Sequence, residues 1–166
     1  MKHEIGIRHN FETAHRIPVL GGKCVNLHGH SWQCEVVFSA PALQDGVVID
    51  FSGLKSEVRG WIDRYLDHGA MLSADDPLVP VLQAEGSRLF RFGAADPEPY
   101  ERFAKDLSWP TVESVAMVIG RMTNQALQAV PHAPGTVIDH VEVRETSVNH
   151  ARWNSSLDGH NERLGI

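Results

Sequence analysis

Residues 5–15, Ile5-Gly6-Ile7-Arg8-His9-Asn10-Phe11-Glu12-Thr13-Ala14-His15, alternate along their whole length. Ile5, Ile7, His9, Phe11, Thr13 and His15 share one side, against Gly6, Arg8, Asn10, Glu12 and Ala14 on the other. A period of two sends successive side chains to opposite faces, so the stretch predicts a strand. Alternation resumes from His28 to Phe38, with His28, His30, Trp32, Cys34, Val36 and Phe38 on one face. Pro18 and Gly21-Gly22 mark a loop between the two. Paired as a hairpin over residues 16–27, these strands bring His15 opposite His28 and His30.

Outward from this pair, residues 41–46 read as a turn and Val47-Val48-Ile49-Asp50-Phe51 as a third short strand. Ser52 can then cap a helix whose stripe is Leu54, Val58, Trp61, Ile62, Tyr65 and Leu66. It runs out at Asp67-His68-Gly69, where Gly can supply a C-terminal cap. Residues 73–109 are rich in Pro, Asp and Gly and predict an irregular insertion with one short helix near Tyr100–Leu107. Connections of that length are uncommon in a compact domain and are often functional. Thr111 caps a second helix with Val115, Ile119, Met122, Ala126 and Val130 on its stripe, ended by Pro131. Val137–Thr146 predicts a strand with Val137, Val141 and Val143 on the apolar face, and Ala151-Arg152-Trp153 a last one. The polar tail from about residue 155 reads as loose. The order predicts a single α+β domain over residues 1–166, an antiparallel sheet with helices on one face.

Composition narrows the function classes. The chain has 166 residues, 42% hydrophobic and 22% charged, which argues against disorder, collagen and coiled coil. A net charge of −6 argues against a general nucleic-acid binder. No run approaches the roughly 18 apolar residues that span a bilayer. The first residues carry no apolar signal segment, so the expected compartment is the cytoplasm, with no membrane partner. Cys24 and Cys34 are too few for a disulfide framework and are expected as thiols.

Ten histidines are the compositional excess. Three neutral imidazoles and an open position are a common catalytic zinc arrangement, which His15, His28 and His30 could form, unless they are unrelated strand residues. Cys24, in the loop four residues before His28, is either an ionisable base or nucleophile near a cation, or a small apolar loop residue. Cys34 is assigned to packing. Asp67-His68 closes a helix, where imidazolium is favoured, and is either a proton-transfer pair or a cap. Glu145 falls on the apolar side of its strand, where an unpaired carboxylate is costly. Either it meets a donor, such as the amidine-like edge of a ring, or the strand ends and it reaches water.

Taken in order, Phe11-Glu12-Thr13-Ala14-His15, Cys24-Val25-Asn26-Leu27-His28-Gly29-His30, Gly46-Val47-Val48-Ile49-Asp50-Phe51, Leu66-Asp67-His68, Pro110-Thr111-Val112-Glu113 and Glu145-Thr146 resemble the motifs of the 6-pyruvoyltetrahydropterin synthase superfamily. The resemblance implies a T-fold (tunnelling fold): a four-stranded antiparallel sheet with two helices on one face, three subunits closing a β-barrel, and two trimers stacking as a homohexamer with sites between subunits. It implies Zn2+ on His15, His28 and His30, Cys24 as catalytic base, and Asp67 and His68 assisting proton transfer. Glu145 would anchor the pterin ring, with Thr146 beside it. The spacing from Cys24 to His28 is similar to that of the bacterial 6-carboxytetrahydropterin synthase branch, a lyase of queuosine biosynthesis. That branch converts 7,8-dihydroneopterin triphosphate to 6-carboxytetrahydropterin, acetaldehyde and triphosphate. The pyruvoyl branch, or a paralogue acting on another pterin or purine-like substrate, stays open. The chain departs from the family pattern at Gly69-Ala70-Met71-Leu72-Ser73, in the length of the 73–109 insertion and at Trp153.

Overall fold

The computed structural model describes residues 2–155; the tail expected from about 155 lies outside them. The two alternating stretches form strands β1 (His3–His15) and β2 (His28–Ala40), antiparallel over their full lengths. Odd-numbered residues of β1 and even-numbered residues of β2 turn inward, and Phe11 stacks on Trp32 at 6.0 Å between ring centroids. Helix α1 (Phe51–Tyr65), strand β3 (Gly69–Ser73), helix α2 (Leu78–Ala84), strand β4 (Leu89–Phe92), helix α3 (Val112–Leu127) and strands β5 (Val137–Arg144) and β6 (His150–Trp153) follow. The sheet has six strands in the order β4-β3-β1-β2-β5-β6.

Helices α1 and α3 lie on one face, as the apolar stripes require. Leu54, Val58 and Ile62 of α1 and Val115, Ile119 and Met122 of α3 join Phe11, Trp32, Val36, Phe38 and Val141 in one buried core. Removing side chains of this size from water contributes about 1.5–3 kcal/mol each. Trp153 on β6 lies flat against α3 at Gly120, where an added Cβ would stand 2.2 Å from the indole ring. The Trp at this position therefore has its space in the missing side chain of Gly120.

Several local expectations are corrected. The insertion is not irregular: it carries α2 and β4, and β4 with β3 just before it extends the sheet, with β1·β3 and β3·β4 parallel, so the sheet is mixed and larger than the four antiparallel strands expected. Parallel strands as short as Gly69–Ser73 and Leu89–Phe92 show too little alternation to be read from periodicity. Helix α2 covers the opposite sheet face, where Leu78, Val79 and Leu82 meet Ala70, Leu72 and Leu89. The short helix near Tyr100–Leu107 is a single 3-10 turn at Arg102–Ala104. Glu101, buried, organises this segment: its carboxylate accepts from Arg91 N, Nε and Nη2 and from Glu98 N at 2.6–2.9 Å.

Val47–Phe51 makes isolated bridges only (Gln44↔Val47, Ile49↔His132), and Phe51 already belongs to α1. The cap is Asp50, whose Oδ1 accepts Ser52 N at 2.9 Å and the Ser52 hydroxyl at 2.7 Å. At the other end the left-handed residue is His68 (φ 54), not Gly69, which starts β3. Helix α3 has Thr111 as its cap, as expected, but ends at Leu127. On β5 a register shift opposite Val37/Phe38 leaves Asp139 unpaired. The apolar face is therefore Ile138, Val141 and Val143, while Val137 is exposed.

Candidate functional site

The β1–β2 register sets the site. His15 pairs with His28 and Thr13 with His30, so three imidazoles converge at one end of the hairpin. Their ring centroids are 4.7, 5.2 and 4.8 Å apart, and one ligand nitrogen from each lies within 4.8 Å of the others. Trp32, fully buried, packs edge-on against His15 at 5.0 Å and His30 at 5.8 Å, and its indole N–H donates to Thr13 O at 3.1 Å.

Backbone carbonyls fix two of the rings. Nδ1 of His15 faces the Pro110 carbonyl at 2.9 Å, and Nδ1 of His28 faces that of Asn26 at 2.8 Å. A carbonyl only accepts, so each Nδ1 carries the proton and each Nε2 keeps its lone pair. Nε2 of His15 is buried without a hydrogen-bond partner. An orphan acceptor in the interior is costly, and a cation shared with His28 and His30 satisfies it. Burial, with the neighbouring imidazoles, pushes the His15 pKa below its ordinary value despite the Pro110 carbonyl and Glu145. Burial likewise pushes His30 down, against the pull of Glu145. Both rings are thereby kept in the neutral form that ligates metal. The donor set fits a metal ion of the zinc type.

Glu145 stands just past the end of β5. Strand and carboxylate part company here, yet the side chain does not turn fully to water: it is 20% exposed, with Oε2 3.9 Å from His15 Nε2. Asn149 Nδ2 donates to its other oxygen at 3.4 Å. The Thr146 hydroxyl accepts Val148 N at 3.3 Å and Asn149 N at 3.0 Å, which builds the turn holding Asn149 beside Glu145. Ser31, Gln33, Arg144, Glu145, Thr146 and Ser147 line a cleft of about 510 Å³, and Ser31 also borders a second of about 290 Å³ lined by His30, Thr13 and Gly69. A larger cleft of about 620 Å³, with Arg8, Gln33, Glu35, Arg59 and Glu142 among its walls, holds none of the three histidines.

The Asp67–His68 turn is followed by Gly69, which borders the cleft beside His30. His68 Nδ1 meets Asp67 Oδ2 at 2.7 Å, and its imidazole is exposed. Asp67 Oδ1 accepts Glu12 N at 2.7 Å while His68 N donates to Glu12 O at 2.6 Å, so the turn is pinned to β1. Partial burial would raise the Asp67 pKa, but the Glu12 N–H, the His68 ring and Arg88 together hold it below the ordinary carboxylate value. Cys24 sits in the 3-10 turn Gly22–Val25 as a half-buried free thiol. Its carbonyl accepts Ile17 N at 2.7 Å, closing the loop that links His15 to His28. Cys34 is buried, and burial pushes its thiol up to about 12, in keeping with packing.

The alternation of β1 and β2 predicts the convergence of the three histidines, and the structure shows it; only the family resemblance joins Glu145 and the Asp67–His68 pair to them. Sequence reasoning missed the residues that hold them: the carbonyls of Pro110 and Asn26, Trp32, and two partners from the insertion. One is Asp76, buried, whose Oδ2 takes Arg16 Nε at 2.7 Å right beside His15. The other is Arg88, which bonds carbonyls at the end of α1. Backbone partners and contacts across unpredicted strands leave no periodic signal.

Comparison with known proteins gives relatives in sequence and in fold. A 6-carboxy-5,6,7,8-tetrahydropterin synthase from Aquifex aeolicus is 28% identical over 92% of this chain and 98% of its own length. One of the same name from Haemophilus influenzae is 34% identical over 49% of this chain and 63% of its own. Among solved structures, an uncharacterized protein from Wolinella succinogenes superposes with a TM-score of 0.67 at 23% identity, covering 93% of this chain and 99% of that one. The Caenorhabditis elegans 6-pyruvoyl tetrahydropterin synthase does so with 0.60 at 21%, covering 93% and 96%. These neighbours share the T-fold. The family model for 6-pyruvoyl tetrahydropterin synthase matches residues 4–156, and the chain belongs to that family.

Proposed function

We propose that this protein is a zinc-dependent pterin lyase that converts 7,8-dihydroneopterin triphosphate and one water to 6-carboxy-5,6,7,8-tetrahydropterin, acetaldehyde and triphosphate. The observation that carries the reading is the orphan Nε2 of His15, inside a three-histidine cluster and 3.9 Å from Glu145. The relatives named as 6-carboxy-5,6,7,8-tetrahydropterin synthases support the branch.

In this reading His15, His28 and His30 would hold the zinc, which would supply Lewis acidity toward the substrate's side-chain hydroxyls. Glu145 receives the paired N–H donors of the pterin edge, a charge-assisted contact that fixes the ring. The Asn149 amide keeps the carboxylate aimed, and Thr146 organises the turn on which both sit. Cys24 takes a proton from the side chain as base. His68, its Nδ1 held by Asp67 and its imidazole exposed, serves as the second proton carrier. The remaining assignments follow the resemblance: the cytoplasm as compartment, a place in queuosine biosynthesis, one domain per chain, and a homohexamer, a dimer of trimers closing β-barrels, with each site completed by a neighbouring subunit.

Incubation of the zinc-loaded protein with 7,8-dihydroneopterin triphosphate tests the proposal. Acetaldehyde and 6-carboxytetrahydropterin are the expected products. Triphosphate release without acetaldehyde would assign the pyruvoyl branch, and intact substrate in the presence of bound zinc would sink the reading.

A further inference from the structure

Arg88 comes from the insertion, one residue before β4, and reaches back to the end of α1. Its Nη1 donates to the carbonyl of Asp63 at 2.9 Å and to that of Asp67. These carbonyls lie where a helix has run out of N–H partners and where its dipole is negative, so a guanidinium is the side chain suited to both. The backbone of the same residue grips the next peptides: Arg88 O accepts Ala70 N at 3.0 Å, which starts the β3–β4 pairing. Gly69, a departure from the family pattern, lies between these two contacts. A Cβ there would stand 3.0 Å from Arg88 O and 3.2 Å from Arg88 Cγ. The absent side chain is what lets Arg88 close on the turn.

The peptide held in this way carries His68, a residue with a side chain at φ 54. Such a conformation persists only where its surroundings over-determine it. Two anchors do so here. Glu12 binds the turn from β1 through its N–H and carbonyl, and Arg88 binds it from the insertion. Two other arginines of the insertion are committed elsewhere: Arg91 to Glu101, and Arg102 to Gln125 and the Phe103 ring.

We infer that Arg88 is a positioning residue for the Asp67–His68 pair, fixing the turn through the carbonyls of Asp63 and Asp67 in the space left by Gly69. The inference rests on the role proposed above for that pair, and it gives the insertion a function: it supplies the outer half of the frame around His68.

Arg88→Met keeps the stem and removes the donors; Arg88→Lys restores one charged donor. With zinc content unchanged, Arg88→Met is expected to lower kcat about tenfold with KM within about twofold, because the proton carrier is misplaced while the ring anchor is untouched. Arg88→Lys is expected to recover part of the loss. In protein labelled with 15N-histidine, the His68 ring is expected as the Nδ1–H tautomer in the wild type and as a tautomer mixture in Arg88→Met. Wild-type kcat, or an unaltered His68 ring signal, in Arg88→Met overturns the inference. If Arg88→Met does not fold, Arg88→Gln is read by the same two criteria. If the wild type turns over no pterin, the proposed function fails, and the ring signal alone decides the role of Arg88.

Discussion

Nε2 of His15 lies 3.9 Å from Oε2 of Glu145, which brings the last residue of β1 and the first residue beyond β5 to one point in space. β2 runs between these strands in the sheet, so the contact crosses it, with His15 opposite His28 on one side and Glu145 just past the Gln33–Arg144 pair on the other. The three-histidine cluster and Glu145 are therefore a single assembly. Shifting either pairing by one residue would turn one of them to the opposite face.

Metal binding should depend on each histidine of the cluster. His28→Ala and His30→Ala are expected to purify without the stoichiometric zinc of the wild type, with elemental analysis as the readout. Ligation needs neutral rings, and burial holds the pKa of His15 and His30 below the ordinary 6.5. Protons are therefore expected to compete with zinc at His15 and His30 only at a lower pH than at an ordinary imidazole, which a pH series of zinc titrations reads.

Glu145→Gln tests the ring anchor separately from the metal. A neutral amide keeps one acceptor but loses the charge-assisted pair, worth about 1.5–3 kcal/mol, or roughly 10- to 100-fold in pterin affinity. Isothermal titration with a pterin should show this loss while zinc content stays at the wild-type level.

Gly120→Ala should destabilise the fold by about 1–3 kcal/mol, since the new methyl overlaps the Trp153 ring and the helix or β6 must shift. Replacing Trp153 by Leu in the same chain should return most of that loss. Urea denaturation midpoints of the single and double variants give the comparison.

The insertion should be held by Glu101. Glu101→Ala leaves Arg91 without its bidentate partner and frees two backbone N–H groups, at a cost of about 3 kcal/mol. Amide exchange should quicken first in β4, around Leu89–Phe92, while β1 and β2 keep their protection.

Glu142 gives a stability change with a defined sign. The Arg152 hydrogen bond, opposed by burial and reinforced by Arg144, holds its carboxyl below the ordinary 4.5. A pKa lower in the folded than in the unfolded chain means the contribution is complete above about 4.5. It is lost as pH falls from there through the folded value. Glu142→Gln should flatten the thermal stability profile in that acidic window and leave its shape near neutrality unaltered.

The parts of this fold legible in the sequence are those with a long period. Eleven alternating residues ending in His15, and a second run starting at His28, specify a hairpin and its face, and so place three imidazoles together. The stripes of α1 and α3 and the Thr111 cap were readable for the same reason. Parallel strands β3 and β4 were not, because Ala70-Met71-Leu72 is buried on both faces and shows no alternation. For Glu145 the sequence leaves two alternatives, a carboxylate on the apolar strand face that meets a donor, or a strand that ends and lets it reach water. The strand in fact stops at Arg144, and the carboxylate is shielded by the His15 side of the cleft rather than by the core. Arg88 gave no signal at all, since its partners are backbone carbonyls at the end of a distant helix.

The central claim is that one site holds both the metal and the pterin. A crystal structure of the zinc-loaded protein with a bound pterin, with anomalous data at the zinc edge, measures it most directly. The account predicts one anomalous peak at about 2.0–2.1 Å from a nitrogen of each of His15, His28 and His30, with the amino edge of the pterin on the Glu145 carboxylate. Zinc at other ligands, or a pterin seated away from Glu145, would contradict it.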